Sequence, residues 1–180
     1  MLSDQNLTAA IVPFYLGEKP DSADRTIGQM WTWDFEKLEC VHDYIQWLFP
    51  LAEKSNFNPN APIVDNEVIE AFKTNTLLQQ NLLRSFSMML SFYGLKVVKD
   101  KEGKTIVEKS PEYSIRKQEW VQMFDHNYLR ITRILKCLMI FDRKEEAQAF
   151  YDCLRDIYKE NTDLIGRETF QYWTDAVLTK

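Results

Sequence analysis

Apolar residues in this chain recur mostly at three- and four-residue steps, the period of a helix that turns one face to a core. Val41, Ile45 and Leu48 stand at i, i+4 and i+7, which predicts one helix over 35–49. Asp34 offers its N-cap, and Pro50, which has no N–H, its stop. His42 and Gln46, also i, i+4, fall on the strip beside that face. Asp65 caps a short helix carrying Val68, Ile69 and Phe72. Asn75 or Thr76 opens a longer one, with Leu78, Leu82, Phe86, Met89 and Tyr93 in step and Gly94 placed as its C′ residue. Leu77, Leu83, Met88, Leu90 and Phe92 make this helix apolar on more than one side, so it is expected to be central. The Leu95-Lys96-Val97-Val98 and Thr105-Ile106-Val107 runs flank Asp100-Lys101-Glu102-Gly103-Lys104, a hairpin signal. A short amphipathic helix or an irregular lead-in covers 112–122, and further helices follow over 126–141 behind Asp125, over 145–159 and over 168–177.

The first thirty residues break the pattern. Ile11-Val12-Pro13-Phe14-Tyr15-Leu16-Gly17 is apolar but punctuated, and Pro20-Asp21-Ser22-Ala23-Asp24 is turn chemistry. They predict an arm with little regular structure that wraps the core and buries its aromatics. The Leu51 to Pro62 stretch, with Asn56, Asn58, Asn60 and two prolines, predicts an ordered loop. The expected fold is all-α: a single compact helical domain over 1–180 of about six or seven helices, with an extended N-terminal arm (1–30), a helical core (31–180) and one small β-hairpin.

Composition narrows the function. At 180 residues the chain can bury a core without staples, and 45% apolar with 13% aromatic residues argues against disorder. A formal net charge of −5 disfavours nucleic acid and anionic membranes as partners. Cys40, Cys137 and Cys153 are too few and too scattered for a disulfide framework, and read as buried free thiols in a reducing cytoplasm. No basic leader opens the sequence, and the longest charge-free apolar stretch, 85–95, is too short to span a bilayer.

Two stretches carry a resemblance. His42-Asp43-Tyr44-Ile45-Gln46-Trp47-Leu48-Phe49-Pro50-Leu51 and Asn127-Tyr128-Leu129-Arg130-Ile131-Thr132-Arg133-Ile134-Leu135-Lys136 resemble signatures of the opioid growth factor receptor conserved domain. Trp33-Asp34-Phe35 and Phe92-Tyr93-Gly94 fit in the same order, so the resemblance covers roughly 20–141. It implies an all-helical, receptor-like domain, here in a compact form of the microbial kind without the C-terminal repeats of animal members. For such forms the resemblance implies no established activity, and opioid binding transfers only by fold-level analogy.

Candidate chemistry is sparse. With Ile131 at the centre of its stripe, Asn127 lies about 40° to one side, Arg130 further round at the core border, and Arg133 further toward solvent. These three suit an anion clamp, or else a structural network in which Arg130 ties down a loop carbonyl or Asp21 or Asp43. His42 and Gln46 form a second set, able to orient a ligand or act on a proton. Asp21 and Arg25 in the arm either pack or reach a pocket, and Trp47 either packs under the arm or lines a peptide groove. Arg130 and Arg133 stand beside Cys137 on one helix flank and would lower its thiol pKa if they act on it; the plainer expectation is an inert core thiol. Glu39 and His42 have the Glu-x-x-His spacing of di-iron bundles, but no second pair exists, and Cys40 and His42 point about 200° apart on a helix, so no metal is expected. No Gly-rich phosphate loop or nucleophile elbow is present, and no cofactor is expected. The leading reading is a non-enzymatic binding module whose ligand is an unknown peptide, protein or small anion, with its site at the seam of the His42–Gln46 and Asn127–Arg133 segments. The alternative is an enzyme or small-molecule sensor that acts on an anionic ligand through His42 and Arg130.

Overall fold

At Thr26, Asp34, Asp65 and Asn75 a side-chain oxygen sets a helix start in this computed structural model, which describes residues 8–55 and 58–178. The chain divides into two compact units, Met1–Met88 and Met89–Lys180.

The first unit begins with α1 (Ile11–Tyr15) and α2 (Ile27–Met30). The arm is therefore not irregular over its described part. Pro13 sits in the first turn of α1, where a missing N–H breaks no helical bond, and Thr26 with Gln29 forms a reciprocal capping box on α2. Ile11, Phe14 and Tyr15 are fully buried, as an arm that wraps a core requires.

The helix expected over 35–49 is two pieces, α3 (Phe35–Cys40) and α4 (Ile45–Leu48). Asp34 caps the first as predicted, accepting from Lys37 N at 2.8 Å. Val41 then turns extended, at φ −90° and ψ 130°. The reason lies in burial: every residue from Tyr44 to Pro50 is buried. A continuous surface helix buries one stripe and could not hide seven successive residues. The Tyr44 hydroxyl donates to Leu38 O at 3.1 Å across the break. A parallel bridge joins Leu51 to Ile63; Asn56 of the expected loop lies outside the described residues. Helix α5 (Asn66–Thr74) starts at Asp65, whose carboxylate accepts from Val68 N at 2.9 Å, and buries Val68 and Phe72. Burying each such side chain is worth about 1.5–3 kcal/mol.

Helix α6 (Thr76–Tyr93) begins where Asn75 Oδ1 accepts from Leu77 N at 2.9 Å. The predicted stripe holds: Leu78, Leu82, Phe86, Met89 and Tyr93 are all buried. It ends at Gly94, with φ +75°, as the C′ reading requires.

In the second unit β1 (Leu95–Lys99) pairs antiparallel with β2 (Thr105–Lys109), Val97 opposite Val107. Asp100 Oδ1 closes the turn by accepting from Glu102 N and Lys104 N. Then come α7 (Tyr113–Trp120), α8 (Asn127–Ile140), α9 (Lys144–Glu160), α10 (Thr162–Ile165) and α11 (Arg167–Leu178). Helices α8, α9 and α11 pack mutually, and β2 lies on α9. Glu145 at the start of α9 accepts from Thr105 N at 2.7 Å, and Glu160 at its end meets Lys109 Nζ at 2.7 Å. The all-α class with one small hairpin stands. Four short helices (α1, α2, α4 and α10) raise the number among the described residues to eleven. Among those residues no helix is long and apolar enough to cross a membrane.

Gly94 is the tightest backbone position. A Cβ there would stand 2.7 Å from Tyr113 Cα, at a φ that an L side chain rarely adopts. Gly94→Ala should lower unfolding free energy by more than about 1 kcal/mol in urea denaturation, whereas Gly103→Ala, with open space around it, should cost less.

Candidate functional site

The polar centre of the first unit is built on a turn. Asp21 Oδ1 accepts from Ala23 N and Arg25 N, both at 2.9 Å, and Asp21 N donates to Arg25 O at 2.9 Å. Asp24, inside that turn, takes φ +57°. The other Asp21 oxygen accepts from Arg25 Nε at 2.8 Å and from Arg25 Nη2. Arg25 Nη1 then donates to Asp43 Oδ1 at 2.8 Å. One guanidinium thus ties the 21–25 turn to the α3–α4 break. Burial works against the charge of Arg25, but the hydrogen bonds from Asp21 and Asp43 outweigh it and hold its pKa above the ordinary value. The expectation that Arg130 would engage Asp21 or Asp43 is replaced: Arg25 engages both.

Beside this centre lies a cleft of about 450 Å³, lined by Arg25, Gln29, Trp33 and Lys37 with Asp24 and Asp34. Lys37 Nζ stands 4.5 Å from the Trp33 ring centroid and the Arg25 guanidinium 5.7 Å from it. Both approach the electron-rich ring. The sequence marks Trp33 only through the family resemblance and names neither Trp33 nor Lys37 as a site residue, although a Trp four residues before a Lys at a capped helix start was a usable signal.

His42 is exposed, whereas Gln46 and Trp47 are buried. Because α3 ends at Val41, His42 and Gln46 do not share a continuous helical strip. Trp47 packs edge-on to Phe14, ring centroids 5.2 Å apart, beneath the first helix. Gln46 Oε1 and Trp47 Nε1 find no hydrogen-bond partner among the described residues.

In the second unit Asn127 is fully buried and Arg130 is 4% exposed, deeper than a core border. Helices α9 and α11 both pack on α8 and cover more of it than a single stripe. Arg130 Nη1 donates to Asn127 Oδ1 at 3.1 Å, and Asn127 N to Asp125 Oδ1 at 2.8 Å. Arg133 is only half-buried. The two sequence-predicted sets lie in different units, His42 and Gln46 in the first and Asn127, Arg130 and Arg133 in the second.

Cys137 and Cys153 are buried as expected, whereas Cys40 is exposed. Burial pushes the Cys137 thiol pKa far up, against a smaller lowering by Arg133, so it is the inert core thiol and not an activated one. Cys153 is pushed up to about 12, chiefly by burial. Among the described residues no cluster of His, Cys, Asp and Glu is arranged to hold a metal.

Two expectations follow. At pH 8 a thiol of pKa about 12 is only about 10⁻⁴ thiolate, so in the folded protein a disulfide reagent should label Cys40 first; labelling of Cys137 and Cys153 should require unfolding, as peptide mass mapping will read. Asp21→Ala removes a buried carboxylate with four donors and should cost about 2–4 kcal/mol in chemical denaturation, well above Asp43→Ala, whose side chain is 45% exposed.

The chain is 40% identical over 129 residues to "Opioid growth factor receptor-like protein 1" of Xenopus tropicalis, which covers 69% of this chain and 24% of that protein. It is 40% identical over 110 residues to the human "Opioid growth factor receptor", 61% of this chain and 16% of that protein. A third relative, the mouse "Opioid growth factor receptor-like protein 1", is 41% identical over 71% of this chain and 26% of its own length. The chain therefore spans about a quarter or less of these curated relatives. No solved structure matches it. The family model described as "Opioid growth factor receptor (OGFr) conserved region" matches residues 5–180, and with that match along nearly its whole length the chain belongs to the opioid growth factor receptor conserved-region family.

Proposed function

We propose that this chain is a receptor-like, non-enzymatic binding module. The observation that carries the reading is the match of the family's conserved region to residues 5–180. Some of the relatives are named opioid growth factor receptors; carried to this chain, that name implies recognition of a peptide or protein ligand. The polar groups support binding over catalysis. Arg25 is bound by two carboxylates, Arg130 is buried against Asn127, and the two buried thiols are held protonated. The alternative through His42 and Arg130 asks an anion to reach a guanidinium that is 4% exposed.

The ligand surface in this proposal is the Trp33 cleft with Arg25 and Lys37, where Arg25 also holds Asp43. It joins an aromatic ring to charges of both signs, a combination that suits a peptide. The same proposal places the chain in the cytoplasm, because Cys40, Cys137 and Cys153 are free thiols.

Thermal-shift titration of wild type, Lys37→Ala and Trp33→Leu tests the reading, with short opioid-type peptides, anionic metabolites and divalent metals as probes. A peptide at 100 times its Kd should stabilise the wild type by about 2.7 kcal/mol. The two variants should fold with nearly unchanged Tm and lose that gain. No shift with any peptide, together with turnover of an anionic metabolite that His42→Ala abolishes, would overturn it.

A further inference from the structure

The hairpin has a phase that leaves the outer backbone groups of β2 outside its ladder, on residues that are themselves largely buried, Val107 being 8% exposed. Ser110 N donates to Gly94 O and Asp100 N to Lys104 O, both at 2.9 Å, at the two ends of the ladder. Counting inward in steps of two, Lys96–Glu108 and Val98–Ile106 are the hydrogen-bonded pairs, and Val97–Val107 and Lys99–Thr105 the non-bonded ones. Thr105 and Val107 therefore turn their N–H and C=O groups away from β1. The Thr105 N–H is taken by Glu145. Among the described residues nothing outside the sheet takes the N–H or C=O of Val107.

That edge borders a cleft of about 550 Å³, lined by Thr105, Ile106 and Val107 on one side and by α9 on the other. Ala149, Met139 and Val177 give it an apolar floor. Its α9 wall carries Glu145, Asp152 and Asp156, at i, i+7 and i+11 on one helix face. Along the axis Asp152 and Asp156 are about 6 Å apart. Alternate residues of a strand recur about every 6.8 Å, a close match. Among the described residues both carboxylates bond only to neighbours on the same helix, Asp152 to Arg155 at 2.8 Å and Gln148 at 3.2 Å, and Asp156 to Lys159 at 2.9 Å. Such exposed pairs are weak and readily exchanged.

We propose that the outer edge of β2 accepts an extended peptide as a third strand. Its backbone pairs with Val107, and basic side chains at alternate positions meet Asp152 and Asp156. Charge selects this occupant: three carboxylates against Lys104 and Lys144 line the cleft, and the chain as a whole carries −5. Strand addition draws affinity from main-chain bonds and specificity from alternate side chains. The cleft shares no residue with the Trp33 cleft, so this inference and the proposed ligand site fail or succeed separately.

The full chain is titrated with a capped, fluorescein-labelled peptide of alternating lysine and valine, with two N-methylated forms (one on each alternate set of amides) and with the glutamate counterpart. The lysine peptide should bind, and the glutamate peptide should not. One methylation pattern should weaken binding at least tenfold and the other little, because only one set of amides faces β2. Amide exchange at Val107 should slow on binding, and Asp152→Asn with Asp156→Asn should weaken it severalfold at unchanged Tm. Absence of binding at about 1 mM, or equal binding by both methylated forms with unchanged exchange at Val107, would overturn the proposal.

Discussion

Helix ends are the constraint on which this structure depends. Every helix leaves up to four carbonyls without an internal partner at its C-terminus, and short helices multiply such ends. This chain meets the need with the polar tips of its aromatic residues. The Tyr15 hydroxyl donates to Leu48 O, the Tyr44 hydroxyl to Leu38 O, and Trp120 Nε1 to Tyr93 O. Two further tips bond carbonyls elsewhere: Trp173 Nε1 reaches Tyr128 O in the first turn of α8, and the Tyr128 hydroxyl reaches Gln122 O in the loop before it. The same rings fill the cores, edge to face with Phe72, Tyr93 and one another. Tyr15, Tyr44 and Trp120 thus serve twice, in apolar burial and on carbonyls at helix ends.

Charges obey the complementary rule, that a buried ion keeps its partners. Arg25 is held by two carboxylates and Arg130 by Asn127, while the weaker intrahelical pairs lie at the surface. Groups that looked reactive in isolation are thereby committed to structure. What remains open is shallow: a mixed-charge aromatic cleft in the first unit, and an acidic groove along a strand edge in the second. In our proposals both serve association.

Helical period, caps and the hairpin were legible in the chain because each is local. Asp34, Asp65 and Asn75 accept helix N–H groups where their position predicted, and Gly94 takes the left-handed conformation its place required. The deep burial of Asn127 was legible as an angle from Ile131. The break at Val41 was not, since Val41, Ile45 and Leu48 keep a perfect helical step across it. Only the burial of Tyr44 to Pro50 on all sides, together with the capture of Asp43 by Arg25, decides against one helix.

By itself the sequence determined the helical class, the hairpin, the capping residues and the family, all of which rest on neighbours within a few positions or on a linear motif. The tertiary structure decided that Arg25, not Arg130, gathers Asp21 and Asp43, that Cys137 is raised and not activated, and that one edge of β2 faces an acidic wall. The physical reason is range. Propensity and period act over one or two turns, whereas desolvation and charge pairing are set by groups brought close from 18 to 40 residues away, as Arg25–Asp43 and Thr105–Glu145 are.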